Sequence, residues 1–209
     1  MSNVQIVGRR SSVFTRLALL FAEELGIAYE LVPIPDMTVT TPETYADNPA
    51  LKLPILRWAS STIFGAQNIC RVLAERAPGR KRIVWPEDLH DDVSRNAQEL
   101  IWHCMSAQVQ IVFGTVINKL PADNPYFTKA RIGLESSLRW LDTNLAAALA
   151  ALPPRDLSLF EGSLHCLFEH LVFRPTVPVD PYPALSEFCK AFAQRPSAQR
   201  TIYRFDKSA

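Results

Sequence analysis

The sequence predicts two domains, a mixed α/β domain followed by an all-helical domain. Strand and helix patterns alternate in the order β-α-β-α-β-β-α over about the first eighty residues, and no convincing strand pattern appears after Phe64. The chain has 209 residues, which is enough to bury a core in each of two small domains. We place the domains at residues 1–79 and 86–209, with a linker at 78–82 that contains proline, glycine and three cations.

The elements of the first domain follow from periodicity and from end signals. Apolar residues recur near helical spacing between residues 14 and 25, and Gly26 ends this pattern as a C-cap glycine should. A threonine N-cap with a proline after it predicts a short helix at 41–43. Strands are predicted at 4–7, 27–34, 55–58 and 62–64, and a further helix at 66–76.

The segment from Asn48 to Leu56 contains a proline where a strand should begin. Pro54 cannot donate to a sheet ladder, so it suits the first residue of a strand, and we expect the Leu53–Pro54 bond to be cis. Such a bond leaves the N–H and C=O groups of Leu53 free to pair with an extended peptide. The segment therefore indicates a peptide-like ligand.

Four helices are predicted in the second domain, at 86–119, 126–150, 158–173 and 182–194. The first has Glu87 and Asp88 at its favourable N-terminal end, and Gly114 is expected to bend it. Ser158 and Glu161 form a capping box at the start of the third. Spacing predicts six buried side chains on the first helix: Leu100, Ile101, Met105, Val109, Val112 and Val116.

Composition narrows the possible functions. The net charge is +1 and there is no basic run, so no electrostatic surface for nucleic acid or an anionic membrane is expected. No apolar run approaches the ~20 residues of a membrane span, and the chain enters a strand directly, so we expect a cytoplasmic protein. No Cys-x-x-Cys motif is present, and four scattered cysteines are expected to be core thiols: Cys70, Cys104, Cys166 and Cys189.

Two serines stand at the start of the first helix. The Ser12 hydroxyl can cap the helix, and this is one interpretation of the residue. The same position favours an anion because of the helix dipole, and a hydroxyl aimed at a thiol sulfur stabilises the thiolate. Ser11 is the alternative for that second role. Arg16, one turn beyond Ser12, either packs or contributes to the site.

The order of elements and several motifs resemble the cytosolic glutathione S-transferases, in particular serine-type, bacterial-like members. The resemblance covers nearly the whole chain. The matching segments are Ser12 to Arg16 with Glu24-Leu25-Gly26, Asn48 to Leu56, Ile69 to Leu73, Leu157 to Glu161, and Pro183 to Ser197. Each motif is weak alone, but their order and spacing together are specific to the family.

This resemblance implies a thioredoxin-like N-terminal domain and the family's helical C-terminal domain. The implied activity joins the thiolate of glutathione, a co-substrate, to a small hydrophobic electrophile, as in detoxification. No metal, permanent cofactor, nucleic acid or membrane partner is implied, and a homodimer is expected. Ser12, or else Ser11, would stabilise the thiolate, and Leu53 ahead of Pro54 would bind the peptide backbone. The terminal carboxylate would bind at Gly65, Ala66 and Gln67.

Ala66 is a departure from the family pattern. The family usually has an acidic residue and a serine at the positions of Gly65 and Ala66, and the serine holds the γ-glutamyl carboxylate. The helix N–H groups remain here, and Gln67 or Asn68 could supply a replacement donor. The alternative function is therefore a non-catalytic binding or interaction protein with a weakened glutathione site. Glutathione-dependent reduction is less expected, because it favours a cysteine where the two serines stand.

Two further groups of residues could contribute to a site. Trp102, His103, Met105 and Ser106 lie on the helix that forms the electrophile pocket in the resembled family, but core packing is the stronger interpretation for Trp102 and Met105. His165 and His170 are five residues apart, unlike the i,i+4 pair of a zinc helix, so no metal site is predicted.

Overall fold

The computed structural model describes residues 4–206, which divide into two compact units. One unit contains the chain up to Lys81 together with the segment from Arg195 onward, and the other is Arg82–Gln194. The elements, in chain order, are β1 (Gln5–Gly8), α1 (Val13–Glu24), β2 (Glu30–Pro33), β3 (Ile55–Trp58), β4 (Ser61–Phe64), α2 (Ala66–Arg76), β5 (Ile83–Val84), α3 (Asp92–Ile111), α4 (Pro125–Ala150), β6 (Leu157–Ser158), α5 (Leu159–Phe173), α6 (Pro183–Phe192) and α7 (Pro196–Arg200).

The first unit contains one four-stranded sheet in the order β2-β1-β3-β4. β1 is parallel to β2 and antiparallel to β3, and β3 and β4 form the predicted hairpin. Val7 lies opposite Ile55, and Ile55 lies opposite Phe64. The end of β1, the start of β3 and the end of β4 therefore meet at one edge of the sheet. This confirms the predicted thioredoxin-like fold followed by helices.

One predicted helix start is right and one is wrong. The short helix with Thr41 as N-cap begins at Pro42 as predicted, but it is a single 3-10 turn, Pro42–Tyr45. The helix predicted from residue 86 begins at Asp92, because the Asp91 carboxylate caps it by accepting hydrogen bonds from the N–H groups of Val93 and Ser94, both at 3.0 Å. Residues 86–88 form only a 3-10 turn.

The second unit contains a strand pair that the sequence did not predict. Ile83 lies opposite Leu157 in the parallel pair β5–β6. The Arg82 N–H donates to the Asp156 carboxylate at 2.8 Å, and the Arg82 guanidinium does so at 2.8 Å as well. Strands of two residues have no detectable period, so the pattern analysis could not find them.

Gly114 lies where the helix geometry changes. The chain continues from α3 as a π-helix, Val112–Ile117, and the Asn118 N–H bonds the carbonyl of Phe113, five residues back. The predicted burial fails at two positions near this change: Val109, which precedes it, is 38% exposed, and Val116, which lies within it, is 43% exposed. Residues 92–117 contain no continuous apolar run of membrane-spanning length, but as a helix they are long and apolar enough to cross a membrane by length and composition alone. Because Ile101 and Met105 on it are fully buried, it serves as a core helix of its unit.

Ser158 caps α5 as predicted, but its hydroxyl rather than its N–H makes the return bond to the Glu161 side chain. Ser158 Oγ accepts from the Glu161 N–H at 3.0 Å and donates to the Glu161 carboxylate at 2.6 Å. Arg155 binds both oxygens of that carboxylate, at 2.6 and 2.8 Å. This cluster is a folding element at the start of a buried helix.

The four cysteines are buried thiols, as predicted, and none of them is in a disulfide. For Cys104, burial raises the pKa to about 12 despite a hydrogen bond with Ser137 that lowers it. A thiol with that pKa stays protonated at neutral pH and is unreactive.

The end of the chain packs differently from the predicted division. Residues from Arg195 onward belong to the first unit, where Arg195 and Ser197 bind the carboxylate of Glu24 on α1. The boundaries 1–79 and 86–209 stay a prediction about sequence domains. In the described part of the chain, the bonds from Arg195 and Ser197 to Glu24 hold the C-terminal segment in the first compact unit.

Candidate functional site

Ser12 is the N-cap of α1. Its Oγ accepts a hydrogen bond from the Thr15 N–H at 3.3 Å, and its carbonyl accepts from the Arg16 N–H at 2.9 Å. A hydroxyl that accepts one bond keeps its proton for donation to a second partner. Ser12 is half-buried, whereas Ser11 is only 8% exposed. The cap and the thiolate-stabilising role are therefore compatible at Ser12.

The loop before Ser12 is held closely. The Ser12 N–H donates to the Arg9 carbonyl at 3.0 Å, and the Arg9 N–H donates to Thr15 Oγ1 at 3.4 Å. A Cβ added at Gly8 would lie 2.5 Å from Thr15 Oγ1. Glycine is needed here because the end of β1 approaches the first turn of α1 so closely.

The turn before β3 presents a free backbone segment. The Leu53–Pro54 bond is cis, which confirms the prediction. Asn48 fixes the turn: its amide nitrogen donates to the Lys52 carbonyl at 2.8 Å and its amide oxygen accepts from the Ala50 N–H at 3.0 Å. Within residues 4–206, no hydrogen bond reaches the N–H or C=O of Leu53. That pair is available to an extended ligand.

The N-terminus of α2 follows β4 directly. Gly65 is its N-cap, with φ 85, a backbone conformation that favours glycine, and no side chain caps the helix. Its own N–H reaches the Pro54 carbonyl at 3.4 Å. Ala66 is buried, and the Asn68 amide donates to the Phe64 carbonyl at 3.2 Å. The side chain of half-buried Gln67 makes no hydrogen bond within the described chain, so it is available to help the uncapped N–H groups bind an anion.

The sheet register brings these three segments to one edge. Ser12 follows the end of β1, Leu53 and Pro54 precede β3, and Gly65 follows the end of β4. The edge therefore offers a hydroxyl at one helix N-terminus, an unpaired backbone N–H and C=O, and a second helix N-terminus. These groups suit a thiol, a peptide backbone and a carboxylate, in that order.

Known proteins of one family match this chain in sequence. The family profile described as "Glutathione S-transferase, N-terminal domain" matches residues 11–76. Glutathione S-transferase 4 of Zea mays is 30% identical over 210 residues, covering 94% of this chain and 91% of the maize protein. This chain belongs to the glutathione S-transferase family. The serine-type, bacterial-like subtype stays a prediction.

Solved members of the family share the fold. A glutathione S-transferase from Methylobacillus flagellatus with glutathione bound superposes with a TM-score of 0.75 at 20% identity, covering 97% of this chain and 100% of its own. A second, from Methylobacterium radiotolerans in complex with glutathione sulfonate, gives a TM-score of 0.73 at 19% identity, covering 99% and 98%. At this identity the likeness concerns the fold.

The other residues considered for the site make contacts that are typical of structural residues. Arg16 is 2% exposed, with its guanidinium 4.3 Å from the centre of the Tyr203 ring, so it packs rather than facing solvent. Met105 is a core residue, and exposed His103 lies 3.3 Å from the Glu99 carboxylate. Among residues 4–206, no three metal-binding side chains cluster.

Two contributors were not predicted. Asn48 was noted only as part of a motif, although an Asn-Pro turn signal was there to read. Asp206 accepts a hydrogen bond from the Arg10 N–H. No local sequence pattern predicts a contact between residues 196 positions apart.

Proposed function

We propose that this protein joins the thiolate of glutathione to small hydrophobic electrophiles. The observation that supports this most is the sheet edge where Ser12, the unpaired backbone of Leu53 and the uncapped start of α2 come together. Glutathione is then a co-substrate, and the protein holds no permanent cofactor. We also propose a cytoplasmic location, as for other soluble members of the family.

Each part of the edge has a role in the proposal. Leu53 pairs with the peptide backbone of glutathione, and the segment Gly65, Ala66 and Gln67 receives its terminal carboxylate. The Ser12 hydroxyl donates a hydrogen bond to the sulfur and so favours the thiolate, whose proton is lost to water, over the thiol. The thiolate sulfur then forms a bond with the electrophilic carbon, and either a leaving group departs with its electron pair or, in an addition, the adducted group takes a proton from water. Holding both reactants together supplies the rest of the acceleration.

Ser12→Ala is expected to raise the pKa of the bound glutathione thiol and to lower kcat by about ten- to a hundred-fold, while the fold is kept. A charge-assisted hydrogen bond contributes about 1.5–3 kcal/mol, which sets that range. Thiolate absorbance against pH and turnover of an aryl halide measure the two effects, with Ser11→Ala as the matched control. An unchanged titration in Ser12→Ala with a shift in Ser11→Ala would move the role to Ser11.

The alternative is a binding protein of the same fold that has lost catalysis, and Ala66 favours it. The α2 N-terminus lacks a hydroxyl, and Gln67 is the side chain available to replace it. If Gln67 compensates, Gln67→Ala should weaken glutathione binding by roughly ten-fold, and Ala66→Ser should change it little. If nothing compensates, Ala66→Ser should tighten binding by at least that amount. Calorimetry on both variants separates the cases, and absence of binding in wild type and Ala66→Ser at millimolar glutathione would favour the non-catalytic protein.

We further propose a homodimer, as the family resemblance implies. Large apolar side chains are exposed near the end of α3 and the start of α4, among them Val116, Leu120 and Tyr126. Burying such a surface against a second copy would remove it from water. A sedimentation mass near the monomer's 23.5 kDa at micromolar concentration would contradict the homodimer.

A further inference from the structure

The last described residue reaches back to the loop that carries the two serines. Asp206 Oδ2 accepts a hydrogen bond of 3.0 Å from the Arg10 N–H, across 196 residues of sequence. The Arg9 guanidinium lies 4.0 Å from the same oxygen. The Asp206 side chain is 12% exposed, so its carboxylate is held against the loop rather than directed into solvent.

We propose that Asp206 is a positioning residue that fixes the loop carrying Ser11 and Ser12. The proposal rests on the transferase function proposed above. The Arg10 N–H belongs to the peptide that joins Arg9 to Arg10, and Arg10 directly precedes Ser11. A bond to that N–H fixes the plane of this peptide and, through it, the direction in which the next two residues leave.

The bond to Asp206 differs from the bonds that Arg9 and Ser12 make. The bonds of Arg9 and Ser12 described above lie within residues 9–15, so they hold the turn together without tying it to the rest of the unit. A second tie runs from the Arg9 guanidinium to the Pro35 carbonyl at 3.4 Å, but it acts through a long, flexible side chain. Asp206 holds the backbone itself.

The segment that carries Asp206 is itself docked firmly on α1. The Arg16 guanidinium lies over the Tyr203 ring and donates to the Ala198 carbonyl at 3.4 Å. Arg195 and Ser197 bind Glu24 at the far end of the helix. The Asp206 carboxylate therefore has a defined position relative to α1. It can act as an anchor for the loop that leads into the N-cap of that helix.

A hydroxyl that stabilises a thiolate acts only at hydrogen-bond distance, and a displacement of about 1 Å at a reacting centre costs on the order of a hundred-fold in rate. Losing the anchor should therefore reduce kcat while the fold and the glutathione subsites at Leu53 and α2 remain. We expect Asp206→Ala to raise the pKa of the bound thiol by about one unit, which is roughly ten-fold less thiolate at neutral pH.

The experiment compares Asp206→Ala, Asp206→Asn and Arg200→Ala. Asparagine keeps an oxygen that accepts from the Arg10 N–H, so it should restore most of the wild-type pKa and kcat. Arg200 pairs with Glu23 at the other end of α1, so its loss disturbs the same C-terminal segment while the bond from the Arg10 N–H to Asp206 is kept. Thiolate absorbance against pH, kcat and KM measured separately, and amide hydrogen exchange at Arg10 are the readouts. Asp206→Ser repeats the deletion should the alanine variant be unstable.

A thiol pKa and an Arg10 exchange rate in Asp206→Ala equal to those of wild type would overturn the proposal. Equal changes in Arg200→Ala would overturn it too, because they would show a general loss of stability. If wild type fails to bind glutathione, the proposed function is wrong, but the proposed role of Asp206 in holding the loop is still testable. In that case, faster Arg10 exchange in Asp206→Ala but not in Arg200→Ala still supports the anchor.

Discussion

Replacing Glu24 with glutamine is expected to lower the free energy of unfolding by about 3 kcal/mol at neutral pH. The Glu24 side chain, at the end of α1, is 7% exposed. Its carboxylate accepts two hydrogen bonds from Arg195, at 2.7 and 2.9 Å, one from Ser197 at 2.5 Å and one from Lys81 at 3.0 Å. Glutamine keeps the shape but removes the negative charge and replaces one of the two acceptor oxygens with a donor NH₂ group.

The same residue makes stability depend on pH. Burial by itself would raise the pKa of Glu24, but the hydrogen bonds from Arg195, Ser197 and Lys81 and the charge of Arg195 outweigh it and lower the pKa from 4.5 to about 2. The unfolded chain therefore binds this proton more readily than the folded one. The stabilisation is present above about pH 4.5 and is lost as the pH falls toward 2, and the drop in pKa corresponds to the value of about 3 kcal/mol given above.

Urea unfolding of wild type and Glu24→Gln at pH 7 and pH 3 measures both effects. The difference in free energy of unfolding between the two proteins should be large at pH 7 and smaller at pH 3. The neighbouring Glu23 is a matched control, because it pairs with an Arg200 side chain that is 57% exposed, and Glu23→Gln should cost within about 1 kcal/mol. Equal losses in the two variants, or a gap that does not change with pH, would contradict this account.

Gly114→Ala is expected to destabilise the protein by about 3 kcal/mol, at the upper end of what overpacking usually costs. An added Cβ would overlap the ring of Phe127, which is buried on α4 and has little room to move. Replacing a helical glycine by alanine normally gains up to about 1 kcal/mol, so the expected sign is opposite to the usual one.

Gly133 on the same helix as Phe127 provides the control. Nothing lies within 4 Å of a Cβ added there, so Gly133→Ala should be neutral or stabilising. In a Phe127→Leu background, Gly114→Ala should cost clearly less than in wild type, because the two residues are in contact. Thermal and urea unfolding measure all three variants. A neutral Gly114→Ala, or one whose cost is unchanged by Phe127→Leu, would show that the ring is not the obstacle.

Sequence reasoning was most reliable where short-range signals decide the structure. The helix predicted over 66–76 matches α2, and the proline at the head of β3 predicted the cis bond at Leu53–Pro54. Errors arose where a neighbouring side chain competes with a pattern. Asp91 caps α3, which begins at Asp92, six residues after the predicted start, and Val116 in the π-helix that contains Gly114 is exposed.

The candidate site was predictable in parts. Family motifs located Ser12, Leu53 and the start of α2, and these assignments stay predictions until they are measured. What the sequence could not supply was the surroundings: Arg16 under Tyr203 and Asp206 on the Arg10 N–H are contacts across almost the whole chain. Long-range contacts of this kind have no periodicity, so they become visible only once the chain is folded.

The most direct test of the account is a pH titration of the thiol of glutathione bound to the wild-type protein. A free thiol has a pKa of about 8.5. The account predicts saturable binding at millimolar glutathione or below, with the bound thiol titrating at least about one unit lower. Saturable binding with an unshifted thiol pKa, or no binding at all, would contradict the proposal that this sheet edge activates glutathione.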